Sequence, residues 1–109
     1  MARQEAFQGS LPLLVLKILA RNGPQHGYGI TVRIQSVSQE VLRVEEGSLY
    51  PALHRLETAG LIKARWVTTE NKRRARQYEI TAAGRKELEA EEQRWLTVNA
   101  ALVKVLKHA

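Results

Sequence analysis

Three features of this 109-residue chain predict a mainly α (α+β) fold, a winged helix-turn-helix domain followed by one long C-terminal helix. A short helix with an apolar inner stripe (Leu49, Ala52, Leu53, Leu56) runs directly into two alternating strands that flank a basic turn. From residue 82 to about residue 107 the sequence can run as one helix. Lys and Arg outnumber Asp and Glu by 17 to 11, a net charge of +6, which favours a polyanionic partner over an acidic substrate.

The elements follow in order. Residues 1–9 read as a polar N-terminal arm carrying Ala2, Ala6 and Phe7. Ser10 is placed to cap a first helix, in which Leu11, Leu14, Val15 and Ile18 share one face. Pro12 sits in its first turn, where a missing N–H is harmless, and Gly23-Pro24 closes it. A second helix starts near His26 or Gly27 and turns Ile30, Ile34 and Val37 inward. Residues 38–46 alternate briefly at Val41, Leu42 and Val44, a connection with room for a short strand. In the third helix Ser48 is the expected cap, Pro51 falls in the first turn, and Gly60 is the stop. Residues 61–67 alternate through Ile62, Ala64 and Trp66, residues 76–81 through Tyr78 and Ile80, and Thr81 caps the last helix. That helix would be about 39 Å long at 1.5 Å per residue. The domains are therefore the arm (1–9), the winged helix-turn-helix (10–81) and the C-terminal helix (82–109).

A helix seated by leucines on one face can offer the other to a groove. That outer face carries Ser48, Tyr50, Pro51, His54, Arg55 and Thr58. Tyr50, His54 and Arg55 suit groove contacts, Ser48 and Thr58 suit hydrogen bonds to phosphate or base, and the wing residues Lys72, Arg73, Arg74 and Arg76 suit the sugar–phosphate backbone or the minor groove. On the last helix Leu88, Glu92, Trp95, Asn99, Leu102 and Leu106 are spaced alternately by four and three, with Val98 and Val105 beside them. This is a helix-packing seam. It can serve a homodimer, with Asn99 fixing register, or fold back on its own core; the helix exceeds what its own core needs, which favours the dimer. A two-fold axis would set two reading helices about 34 Å apart, matching a pseudo-palindromic operator in double-stranded DNA.

Other chemistries find little support. His26, His54 and His108 are scattered without metal-ligand spacing, no glycine-rich loop cradles a nucleotide, and Ser48 lacks a nucleophile-elbow context. Neither an enzyme nor a cofactor is expected. With no cysteine the chain suits a reducing cytoplasm. The apolar run at residues 11–20 is interrupted by Pro12 and Lys17 and is too short to span a membrane. Two rival uses remain: a winged helix binding DNA or RNA without sequence preference, and a protein-interaction adaptor using the last helix.

HGYGI at residues 26–30, GSLYPALHRLETAGLI at 47–62, Trp66, RRARQYEIT at 73–81 and Gly84 together resemble the PadR family of transcriptional regulators, over nearly the whole chain. The similarity is to compact members with a single C-terminal helix. It implies a winged helix-turn-helix, a dimer made through that helix, and repression at promoters. It also implies that Tyr28 packs between helices, Tyr50 lies on the recognition helix and Tyr78 on the second wing strand. In some compact members a tryptophan of the dimer helix lines a central pore that takes planar hydrophobic ligands. Trp95 occupies the matching place, as a ligand platform or as an interface anchor. At the wing tip Asn71-Lys72 stands where the family commonly has glycines.

Overall fold

Helix α1 (Leu11–Asn22) is the axis on which the other elements pack. The computed structural model describes residues 9–109, so the expected arm, apart from Gly9, lies outside the described residues. After α1 come β1 (Gln25–His26), α2 (Gly27–Val37), α3 (Glu46–Thr58), β2 (Ile62–Thr68), β3 (Arg74–Ile80) and α4 (Ala82–His108). The result is mostly helical with a long C-terminal helix and a β2–β3 hairpin, as the pattern predicts, and the hairpin is extended by β1 to a three-stranded antiparallel sheet in the order β1-β3-β2. Among the described residues no helix is long and apolar enough to cross a membrane.

α1 buries Leu11, Val15, Leu16 and Leu19, while Leu14 and Ile18 are only partly buried. The inner face is thus rotated from the expected stripe, because α2, α3, α4 and β3 all pack against this one helix. Ser10 holds the cap position, but its hydroxyl makes no capping bond. Pro12 falls in the first turn, and Gly23 ends the helix at φ 78° with its N–H on the Leu19 carbonyl. In α2, Ile30 and Ile34 are buried, whereas Val37, at the last position, is mostly exposed. The connection at 38–45 holds no strand: it turns through Gln39 and Glu40 at positive φ and buries Val44. The additional strand lies instead at β1, pairing Gln25 with Tyr78 and His26 with Gln77.

α3 begins two residues before the expected cap. Glu45 is the N-cap residue, so Ser48 is an interior position and Pro51 lies in the second turn. The ring there removes the bond to the Gly47 carbonyl, a loss tolerated near the start of a helix whose inner face, Leu49, Ala52, Leu53 and Leu56, is fully packed. Each leucine contributes about 1.5–3 kcal/mol by burial. The far end is a Schellman turn: Gly60, at φ 76°, donates to the Glu57 carbonyl and Leu61 donates to that of Leu56. β2 then starts at once, already aligned with β3 through Ile62↔Ile80.

Thr81 joins the hairpin to α4. Its N–H donates to the Leu61 carbonyl (3.1 Å), its hydroxyl donates to that of Gly60 (2.8 Å), and its Oγ1 accepts from the Gly84 N–H (3.0 Å). The next turns of α4 lie against α1. Leu88, assigned above to the dimer seam, is 7% exposed and belongs to the chain's own core. Glu92 pairs with Lys17 at 2.8 Å, and the Trp95 indole N–H donates to Ser10 Oγ at 3.2 Å. The seam is therefore shared: its first part closes the chain's own fold and its second part leaves it. Leu96, Val98, Leu102, Val103, Val105 and Leu106 are all largely exposed. Asn99 is half-buried, and its amide donates to the Trp95 carbonyl.

Candidate nucleic-acid interface

The outer face of α3 is open. Tyr50, Pro51, His54, Arg55 and Thr58 lie exposed along it, and Ser48 is half-buried. Ser48, Pro51 and Arg55 line one shallow pocket with Gly47 and Leu11, so these three expected site residues converge at the start of α3. Tyr50 lies against α2: a Cβ placed on Gly27 would come within 3.0 Å of its hydroxyl. The absence of a side chain at Gly27 therefore lets the phenol rest on the α2 backbone.

The family resemblance places Tyr28 between helices, yet it is 78% exposed at the start of α2. Two residues before the buried Ile30, it falls on the opposite side of the helix, since about 200° separates positions i and i+2. That spacing is the signal that could have added it to the site. The exposed face thus spans the first turn of α2 and the outer side of α3.

The hairpin adds the cations. Lys72, Arg73 and Arg74 are exposed at and beside the tip, where Thr69 and Arg73 close the loop through a backbone bond of 2.8 Å. Lys72 adopts φ 59°, in the left-handed region that glycine enters most readily. Arg76 is different. It is half-buried and its Nη2 donates to Glu57 Oε2, near the end of α3, at 2.9 Å. Its guanidinium also lies 5.4 Å from the centre of the Trp66 ring, and that of Arg74 lies 5.1 Å away. Trp66 alternates inward in sequence but is 54% exposed, because β2 extends past the core at this point.

The electrostatics match this packing. Burial pushes the Tyr78 phenol above its ordinary range, while the neighbouring Arg76 pulls it the other way. Tyr78 is thereby a neutral core residue at the hairpin base, with Arg76 and Glu57 around it. Among the described residues no group of three His, Asp or Glu side chains could hold a metal ion.

A helical core bearing an exposed third helix and a β-hairpin defines the winged-helix class. The chain belongs to the transcriptional regulator PadR-like family, whose profile matches residues 15–90. It is similar to a transcriptional regulator from Clostridium thermocellum, with 29% identity and a TM-score of 0.83 over 92% of this chain and 96% of that one. It is also similar to Bacillus subtilis PadR, whose structure was solved in complex with operator DNA, with 28% identity and a TM-score of 0.65 over 79% and 46% of the two chains. An uncharacterised 37.1 kDa protein of a Streptomyces fradiae transposon is 46% identical over 79 residues, 72% of this chain, and the match spans only 21% of that protein. The family is one of transcriptional regulators, which are not enzymes.

Proposed function

We propose that the chain is a dimeric, sequence-specific DNA-binding transcriptional regulator that works in the cytoplasm as a repressor at a pseudo-palindromic operator. One observation carries the reading: α3 is clamped by four buried residues on one side and presents Tyr50, Pro51, His54, Arg55 and Thr58 on the other, beside a cationic hairpin. Such a helix enters a major groove with its orientation already set, and the hairpin follows the neighbouring backbone. Residues 10–81 do the reading and the outer half of α4 pairs two copies. The Bacillus subtilis relative bound to operator DNA supports the same partner. The test is competition between a duplex that the protein enriches from a random pool and a shuffled duplex of the same composition. A preference of roughly 10³ or more is expected; indifference to sequence would leave a general nucleic-acid binder.

Lys72, Arg73 and Arg74 contact phosphates in this reading. Arg73→Ala with Arg74→Ala removes four such contacts from a dimer, so the plot of log affinity against log salt should become shallower by about 3.6. Both duplexes should weaken alike, as expected of contacts that position without reading sequence. An unchanged slope would place the wing away from the phosphates, and unchanged binding of a protein partner would favour an adaptor.

Release of the DNA by a planar hydrophobic ligand at Trp95 is the finer part of the proposal. Trp95 is 42% exposed, its N–H is anchored on Ser10, and it stands where the seam leaves the chain's own core. In a Trp66→Phe background, which leaves Trp95 as the sole tryptophan, acridine should quench the fluorescence and lower affinity for the enriched duplex. Absence of quenching would make Trp95 an interface anchor alone.

A further inference from the structure

We propose that Glu57 is a specificity-determining positioning residue: by holding Arg76 it fixes the angle between hairpin and α3 and keeps that cation off the DNA backbone. The inference rests on the DNA-reading function proposed above.

Four elements meet at Arg76. Its guanidinium is 2.9 Å from Glu57 of α3 and lies over Trp66, its cross-strand partner on β2. Its carbonyl oxygen is 2.9 Å from His26 Nδ1, on β1 at the entrance to α2. One residue of β3 thereby ties the hairpin to both helices of the helix-turn-helix. The other wing cations are held differently: among the described residues Lys72, Arg73 and Arg74 take part in no ion pair. Arg74 shares the Trp66 ring with Arg76 but has no carboxylate to restrain it.

The position of Glu57 is informative. It is the second-last residue of α3, where the helix dipole disfavours a carboxylate. A negative charge on a reading helix also repels DNA. Both penalties are offset by pairing with Arg76, whose side chain is as exposed as that of Glu57, 36% each. A pair so exposed contributes little to stability. What it fixes is direction: the guanidinium is caught between a carboxylate and an indole face, and the strand that carries it cannot pivot without breaking both contacts.

The test uses the full-length dimer, the enriched duplex and its shuffled control, between about 50 and 200 mM salt. Glu57→Gln releases Arg76 to the backbone, one added contact per protomer. The salt slope on the shuffled duplex should then steepen by about 1.8, roughly a tenfold larger loss across that range. Preference for the enriched duplex should fall roughly tenfold, the scale of one mismatched base pair. Adding Arg76→Gln to Glu57→Gln should restore the wild-type slope, whereas Arg76→Gln alone should leave the slope unchanged and reduce the preference. Circular dichroism and sedimentation establish that each variant remains folded and dimeric, which a merely structural role for Glu57 would disturb. A shallower slope for Arg76→Gln alone would make Arg76 a phosphate contact and overturn the proposal. So would a Glu57→Gln protein with wild-type slope and preference. A wild-type protein blind to the two duplexes overturns the underlying function instead, and this inference with it.

Discussion

Gly84→Ala is expected to destabilise the protein by ~3 kcal/mol, near the upper range for overpacking a closed core. The added Cβ would sit 2.1 Å from the Leu61 carbonyl oxygen and 2.7 Å from Ile80 Cγ1. That oxygen is part of the backbone and accepts the Thr81 N–H at 3.1 Å, so it cannot retreat without opening the base of the hairpin. The melting temperature should drop by more than about 10 °C, read by circular dichroism. Gly29→Ala is the control. Its Cβ would meet only the end of the Gln25 side chain, at 2.8 Å, which can swing away. A small change at Gly29 with a large one at Gly84 would show that close approach of α4 to the hairpin, rather than glycine's backbone freedom, sets the requirement. Equal, small effects at both would refute it.

Replacing Leu102 and Leu106 together by glutamate should abolish pairing of the protomers while leaving each one folded. Both side chains are largely exposed, Leu106 at 85%, so neither supports the chain's own core. The double change strips the seam of two apolar side chains per protomer and would bring four like charges together across the proposed two-fold axis, which opposes association. Sedimentation should show monomers at micromolar concentration with an unchanged helical spectrum. Affinity for the enriched duplex should fall by roughly 10²–10⁴, since two linked readers become two separate ones. A dimer that persists in this variant would move the interface to another face of α4. A monomer that keeps full affinity would remove dimerisation from the reading mechanism.

The parts of the fold legible in sequence are those where one residue's neighbours along the chain decide its environment. α3 is the clearest: Leu49, Ala52, Leu53 and Leu56 recur at helical spacing and all four are buried, with Gly60 supplying the left-handed turn after them. Its start is harder to read, because Glu45 caps by backbone conformation with no side-chain capping bond and so leaves no characteristic residue type. β1 is invisible in the pattern, since two residues carry no period and become a strand only by pairing with Tyr78 and Gln77. In the site, the exposed residues of α3 follow directly from its buried stripe. The restraint on Arg76 does not, because Glu57 lies 19 residues away and only the hairpin's return brings the two together. The seam of α4 shows the limit most plainly: spacing marks Leu88 and Leu102 alike as packing positions, yet Leu88 is buried in the chain's own core while Leu102 stands outside it.

Lys17–Glu92 and Ser10–Trp95 fasten only the root of α4, so the remainder behaves as a lever. The 13 helical residues past Trp95 project about 20 Å at 1.5 Å per residue. A tilt of about 10° at the root carries the tip roughly 4 Å, and in a symmetric pair both tips swing together. In the proposed dimer, the separation of the two reading heads would be geared to a few degrees of rotation where indole meets serine.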